Sequence, residues 1–264
     1  MGAVAQLMQA THREVEHQPA AYGIFHLTFV ALSLLVIVGI CYALRKSSDK
    51  TFRAVMFSVG FVLLLSEIYK QLYYYFVIHG VGYDWYIFPF QLCSVPMYLA
   101  IAVGCMPKCS VRDALCEYMA SIGLLGGLMA YIEPSGILNN TYFTIIHSCL
   151  WHALLIFMAG YIWVTGNACK RFTDYKKALL PLGGVVVTAT ALNVIFCAKP
   201  DFNMCYISPF YNTPLAVFSS FDGFFQGIWG QYGGRVVSIA IYILALVLGG
   251  AALYGVGCLV RNKK

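Results

Sequence analysis

Charged side chains are scarce in this sequence. Lys, Arg, Asp and Glu make up 11% of the 264 residues, and 60% are hydrophobic. A soluble domain carries roughly a quarter of its residues as charged side chains, so the composition excludes that class. The apolar residues fall in runs of about 20, the length of a helix that spans the hydrocarbon core of a bilayer. The sequence therefore predicts an all-α, polytopic membrane helix bundle.

Other missing sequence features exclude further classes of protein. The ten cysteines form no paired Cys-x2-Cys motifs, which excludes a zinc ribbon. Residues 1–20 form a short polar segment without the pattern of a cleavable signal peptide. The net charge of +6 comes from short loops between apolar runs, which argues against nucleic acid as a partner. Five cysteines near one predicted face are candidates for palmitoylation: Cys41, Cys105, Cys109, Cys169 and Cys258.

Seven transmembrane helices are predicted within a single domain, residues 21–260. Their ranges are 21–44, 54–78, 86–106, 113–132, 141–164, 178–197 and 235–260. The stretch 198–233 contains Pro200, Pro209 and Pro214, which a straight helix does not accommodate. We expect an irregular outer loop there that dips partly into the membrane.

The distribution of lysine and arginine predicts the orientation. Of 17 such residues, 13 lie in alternate segments, namely the loops 45–53, 107–112 and 165–177 and the basic tail 261–264. Positive charge favours the cytoplasmic side. The N-terminus is therefore expected outside and the C-terminus in the cytoplasm. On the outer side, Asn139-Asn140-Thr141 matches a glycosylation sequon, but it lies so close to the fifth span that we do not expect it to be used.

Several polar residues interrupt the predicted spans, where an ionisable side chain costs about 2.5–3.5 kcal/mol on insertion scales. Counted at about 1.5 Å per residue, they reach similar depths in the outer half of the bundle. This polar cluster comprises Glu67, Lys70, Gln91, Cys93, His147, His152 and Asn193.

Two pairs in this cluster have alternative interpretations. Glu67 and Lys70, spaced i, i+3, share a helix face and can neutralise one another, or Glu67 can orient a histidine while Lys70 holds an anionic head group.

His147 and His152 are separated by about 140° around a helix, so they do not share one metal-binding face. No metal is predicted, and haem ligation by this pair is poorly spaced. Each histidine is either a hydrogen-bonded core residue or a functional one.

Cys93 stands at the head of the third predicted span, between Pro89 and Pro96. A thiol near a helix N-terminus is stabilised as thiolate by the helix dipole. A thiolate beside an imidazole is the minimal apparatus for acyl transfer through a thioester. The alternative is a buried, inert cysteine.

The stretch Phe88-Pro89-Phe90-Gln91-Leu92-Cys93-Ser94 resembles Leu-Pro-Leu-His-Leu-Cys of the YwaF-like integral membrane family, which includes animal transmembrane protein 164. The resemblance continues through His147-Ser148 to Trp151-His152. It extends to Asn203-Met204-Cys205-Tyr206-Ile207, which is similar to Asn-Tyr-Met-Tyr-Leu of the family.

The resemblance implies a cysteine-dependent acyltransferase that moves fatty acyl chains between phospholipid and lysophospholipid, or onto water as a hydrolase. It implies Cys93 as nucleophile and His152 or His147 as general base. The predicted supporting polar residues are Glu67, Lys70 and Asn193, from their positions in the spans, and Asn203, from the family-like motif. Gln91 departs from the family pattern, since a glutamine cannot shuttle protons, although its amide can donate to an oxyanion.

Other functions remain open at this stage. A transporter or small-molecule-binding protein would use the same polar residues and the broken 198–233 region, and a scaffold subunit would need none of them. Membrane lipids are the expected partners, and no cofactor is predicted. We expect an integral membrane location, which would be the plasma membrane if the source is bacterial.

Overall fold

The computed structural model describes residues 2–262, and over this range the chain forms nine α-helices. Their bounds are α1 Ala3–Ala10, α2 Ile24–Leu44, α3 Asp49–Tyr73, α4 Val95–Cys105, α5 Ser110–Tyr118, α6 Leu124–Ile132, α7 Tyr142–Thr165, α8 Leu179–Ile195 and α9 Ala216–Asn262. A π-helical turn, Tyr74–Ile78, extends α3, and another, Met119–Gly123, joins α5 to α6 without a break. The all-α bundle expected from the sequence is confirmed.

Within residues 2–262, six stretches are long and apolar enough to cross a membrane. They are Ile24–Leu44, Asp49–Ile78, Ser110–Ile132, Tyr142–Thr165, Phe172–Ile195 and Phe218–Arg261. Much of their apolar surface faces outward; in α2, Ile24 is 88% and Leu35 is 69% exposed. Water would penalise that exposure, whereas lipid does not. The molecule is therefore a multi-pass membrane protein.

The third predicted span, 86–106, is helical over only half its length. A 3-10 turn at Trp85–Ile87 is followed by turns up to Ser94, and only then does α4 begin. Pro89 cannot sit in a helix interior, whereas Pro96 is tolerated in the first turn of α4. The 11 residues of α4 rise about 16 Å, roughly half a hydrocarbon core. We call residues 85–94 the entry segment.

The predicted loop 198–233 is irregular only as far as residue 215. Helix α9 starts at Ala216, so the prediction was wrong for its second half. The reason is that Pro214 is the last proline of the stretch, so no proline interrupts the chain beyond it. Gly230 breaks α9 with φ +74° and ψ 171°, a conformation open to glycine. A Cβ at Gly234 would fall on the backbone of Gln226, so arms 216–229 and 231–262 fold back on each other.

The positively charged segments meet at one end of the bundle. Arg112 is 1% exposed and bridges loops by donating to both carboxylate oxygens of Asp49 and to Asn167. Arg53 donates to the carbonyls of Gly104 and Cys105. This gathering agrees with the predicted alternation of loops, and the inside–outside assignment itself stays a prediction. Of the tail 261–264, Lys263 and Lys264 lie outside the described residues.

The N-terminal residues form a strap across the opposite end. The expected polar segment 1–20, of which Met1 lies outside the described residues, contains α1, whose Met8 is buried. Glu14 forms an isolated antiparallel bridge with Thr141. Tyr22 donates its hydroxyl to the carbonyl of Ile132 at 2.5 Å. The strap therefore fixes the loop between α6 and α7.

The structure also constrains the modification candidates. Cys41 and Cys169 are buried, at 5% and 0% exposure, so a folded chain does not offer them for palmitoylation, whereas Cys105 and Cys109 are exposed. In the sequon, Thr141 is buried, and its hydroxyl accepts from the backbone N–H of Thr144 as the N-cap of α7. That contact gives the threonine a structural role.

Candidate functional site

A cavity of about 520 Å³ lies between the entry segment and helices α6, α7 and α9. Apolar side chains supply most of its wall, including Leu125, Met129, Phe218 and Leu246. A few polar groups converge among them, which is the usual character of a ligand site. Two of these groups are the sequence-predicted pair Cys93 and His152, so the structure brings them to one cavity.

Cys93 occupies the last turn of the entry segment, two residues before α4 begins. It is partly buried and borders the cavity. The indole N–H of Trp151 on α7 donates to the Cys93 carbonyl at 3.0 Å. That bond fixes the cysteine against the helix that also carries His152. The thiol is therefore held on a short, proline-flanked turn that faces an open space.

A hydrogen bond made by the His152 ring determines which of its two nitrogens carries the hydrogen. Its Nδ1 lies 2.7 Å from the carbonyl oxygen of Ser148, one turn earlier on α7. A carbonyl oxygen only accepts hydrogen bonds, so Nδ1 must carry the hydrogen. The neutral ring then has its lone pair on Nε2, and a nitrogen in that state can take up a proton. This tautomer is the one that a general base at Nε2 would need.

The amide of Gln91 ties the entry segment to the chain after α8. Its Nε2 donates to the carbonyl of Asn203 at 3.1 Å, and its Oε1 accepts from the backbone N–H of Cys205 at 2.9 Å. Gln91 also borders the cavity. Its first role in the fold is to hold two irregular segments together, a role that the sequence did not predict.

Asn193 and Asn203 are structural partners of the same region. Asn193, fully buried on α8, donates to the carbonyl of Met204 at 3.1 Å and accepts from its N–H at 2.7 Å. Asn203 accepts from the N–H of Ser208 through its side chain. These bonds support two successive residues with positive φ, Cys205 at 53° and Tyr206 at 58°. Non-glycine residues adopt that conformation only when their surroundings impose it.

The motif around Cys93 and the 203–206 turn both lie in stretches that resemble the YwaF-like family. A sequence model of the TMEM164 family matches residues 18–253.

The chain belongs to the TMEM164 family.

The match covers most of the chain and confirms the resemblance found in the sequence. No curated protein and no solved structure matches the chain. The sequence left open whether His147 or His152 lies near Cys93, and the two histidines have different positions in the structure. Of these two histidines, His152 borders the Cys93 cavity and His147 does not.

His147 borders a separate groove on the other face of α7. Its Nδ1 lies 2.8 Å from the hydroxyl of Ser66 on α3, and its ring packs 5.3 Å from that of Trp151. Because the two histidines face different spaces, they do not offer paired ligands to a haem iron. Within residues 2–262, no group of three or more His, Cys, Asp and Glu side chains could hold a metal ion.

Glu67 and Lys70 form an ion pair at 2.9 Å, as their i, i+3 spacing indicated. Glu67 is 3% exposed, and its other oxygen accepts from Gln71 at 2.6 Å. Gln71 also donates to the carbonyl of Ile87 in the entry segment at 2.8 Å. Gln71, which also bonds Glu67, therefore anchors the entry segment to α3, and neither Glu67 nor Lys70 borders the cavity.

Sequence reasoning missed several residues that border the cavity. Tyr86, Tyr206 and Tyr242 contribute aromatic rings, and Glu133 contributes an exposed carboxylate. Burial raises the pKa of Tyr206, so its hydroxyl stays protonated and pairs with that of Tyr86 at 3.4 Å. Such residues are difficult to identify in a tyrosine-rich sequence, because the sequence does not show whether a ring near the membrane interface faces lipid or a cavity.

Proposed function

We propose that this chain is a membrane-embedded, cysteine-dependent acyltransferase that moves fatty acyl chains between phospholipid and lysophospholipid. The supporting observation is that Cys93 and His152 border one largely apolar cavity of about 520 Å³, with Nε2 of His152 free to accept a proton. A nucleophile, a base and an apolar space for an acyl chain are the parts that the chemistry requires.

In the first half-reaction, Nε2 of His152 takes the proton of the Cys93 thiol. The sulfur attacks the ester carbonyl carbon of a phospholipid, and a tetrahedral intermediate forms. Its oxyanion needs hydrogen-bond donors, and the second amide hydrogen of Gln91 is a candidate. The carbon–oxygen bond to glycerol then breaks, and the imidazolium returns its proton to the departing alkoxide. The products are a lysophospholipid and an acyl thioester on Cys93.

The second half-reaction reverses these steps with another acceptor. The free hydroxyl of a lysophospholipid gives its proton to His152, and its oxygen attacks the thioester carbonyl. Collapse of the intermediate releases the Cys93 thiolate, which recovers the proton from the imidazolium. Water in place of the lysophospholipid would give a free fatty acid, so the same residues would act as a hydrolase.

The decisive experiment follows exchange of labelled acyl chains between phospholipid and lysophospholipid by the purified protein. We expect Cys93→Ala and Cys93→Ser to abolish exchange. Cys149→Ala is the matched control, because Cys149 is buried on α7 and does not border the cavity. Trapping an acyl thioester that hydroxylamine releases would support the mechanism. Unchanged turnover in both Cys93 variants would overturn it.

A second candidate is a transporter or a small-molecule-binding protein. It is supported by the same cavity, which is large enough for a ligand without any chemistry, and by the buried Glu67–Lys70 pair beneath the irregular entry segment. Flux of a small molecule across liposomes that persists in Cys93→Ala would favour this function. Acyl exchange that disappears in the same variant would favour the acyltransferase.

A further inference from the structure

The groove that holds His147 is unused by the proposed acyl transfer. It has a volume of about 180 Å³, roughly a third of the Cys93 cavity, and lies between α3 and α7. Ser66 and His147 are its polar side chains, and its wall is otherwise apolar and aromatic. Ile146 and Leu150 on its rim are 54% and 55% exposed. This groove therefore opens toward lipid.

The second ring nitrogen of His147 has no hydrogen-bond partner within the described residues. Nδ1 is engaged with the Ser66 hydroxyl at 2.8 Å, and the ring borders the groove. A polar nitrogen without a partner is costly in a hydrocarbon environment. Its position is about 8 Å below the start of α7 at Tyr142. At that depth a lipid group is a more available partner than bulk water.

The chemistry of the Ser66–His147 pair identifies the partner group. If Ser66 donates to Nδ1, then Nε2 carries a hydrogen and needs an acceptor. If Nδ1 donates to Ser66, then Nε2 needs a donor. A hydroxyl satisfies either tautomer, because it both donates and accepts, whereas an ester carbonyl or an ammonium group satisfies only one.

We propose that this groove binds a monoacylglycerol, with its free hydroxyl on Nε2 of His147 and its acyl chain along the apolar wall. The small volume suits one acyl chain. A neutral head group suits the site, because no charged side chain among the described residues borders the groove and the neighbouring Glu67–Lys70 pair neutralises itself. Phe143, 5.6 Å from the His147 ring, and Trp151 offer flat surfaces against which a chain can pack.

Photo-crosslinking with a monoacylglycerol that carries a diazirine in its acyl chain tests the proposal. The protein is held in nanodiscs in the Cys93→Ala background, so the acyl ester is not consumed and the result does not depend on acyl transfer. We expect the label on peptides that contain residues 62–66 or 143–154. His147→Leu should reduce labelling at least tenfold, and Ser66→Ala severalfold. Leucine is compatible with a lipid-facing groove, and thermal melting will verify that the variant folds.

Probe controls decide the role of the hydroxyl. The same lipid with its free hydroxyls methylated should label at least tenfold less. Equal labelling by the methylated probe, or undiminished labelling of His147→Leu, would overturn the site. Stronger competition by a lysophospholipid than by unlabelled monoacylglycerol would overturn the assignment of a neutral head group.

Discussion

The indole N–H of Trp151 donates to the carbonyl oxygen of Cys93 at 3.0 Å. This bond joins the irregular entry segment to the regular helix α7, one residue before His152. Trp151 also lies between two spaces. Its ring borders the His147 groove, and its N–H donates to Cys93, which borders the other cavity. The relative placement of nucleophile and base therefore depends on a residue that takes no part in the proposed chemistry.

Replacing Trp151 with phenylalanine keeps an aromatic ring but removes this hydrogen bond. We expect a loss of about 0.5–1.5 kcal/mol in stability, and a larger proportional loss in acyl exchange, because the Cys93 turn is no longer fixed against α7, the helix that carries His152. Trp163→Phe is the matched control: Trp163 donates an equivalent bond to the carbonyl of Ala120 at 3.0 Å and does not border the cavity. Equal losses of exchange in the two variants would contradict a positioning role.

The two histidines should differ sharply in mutational effect. His152→Gln removes the proposed base, and general acid–base catalysis contributes about 10²–10⁴-fold, so we expect kcat to fall within that range. His147→Gln should leave kcat within about threefold, because His147 lies in the separate groove. Single-turnover acylation of Cys93 measures the effect directly. A loss confined to His147→Gln would reverse the assignment.

Gly126 leaves open the space beside the nucleophile. A Cβ there would lie 3.8 Å from the backbone nitrogen of Cys93, an ordinary contact, so Gly126→Ala should fold and gain up to about 1 kcal/mol of helix propensity. The added methyl group would occupy the cavity, and we expect slower alkylation of Cys93 by long-chain maleimides.

The neighbouring glycine provides the control. A Cβ at Gly127 would meet Leu155 at 3.1 Å and Ile156 at 3.3 Å, so Gly127→Ala should lower the melting temperature. Because Gly127 does not border the cavity, its effect on alkylation should be smaller. Identical alkylation rates in Gly126→Ala and the unmodified protein would show that the thiol is approached from another side.

The folded-back arms of α9 are joined by a buried ion pair, Asp222 with Arg235. Their exposures are 0% and 2%, Arg235 also donates to the carbonyl of Ser208 at 2.9 Å, and Asp222 accepts from the N–H of Thr213. Asp222→Ala would strand a buried guanidinium, which costs about 3–5 kcal/mol. We expect a large fall in the melting temperature, measured in detergent micelles.

The double variant Asp222→Leu, Arg235→Met separates charge from packing. It removes both charges and keeps much of the volume, so it should recover most of the lost stability. A double variant as unstable as Asp222→Ala would mean that the bonds to Ser208 and Thr213, rather than the unpaired charge, hold the two arms together.

The sequence by itself determined the class of fold. Apolar runs of about 20 residues with few charges have the length of spanning helices, which satisfy all of their backbone hydrogen bonds within the segment. The i, i+3 spacing of Glu67 and Lys70 likewise showed that they share a helix face and can pair, and the structure shows that they do. The TMEM164 resemblance was carried by a contiguous stretch around Cys93, so it too was available without coordinates.

Tertiary structure alone decided which side chains meet. The helix period places His147 and His152 on different faces of α7 but does not say which face Cys93 approaches. Proline positions predicted that residues 198–233 could not form one straight helix, yet not where helix would resume. Residues 86–106 were predicted as a complete span, although α4 covers only Val95–Cys105. The cavity depends on how the entry segment, held by Gln91 and Trp151, lies against α6, α7 and α9. Such contacts join residues 58 to 114 positions apart, and local propensity carries no information over that separation.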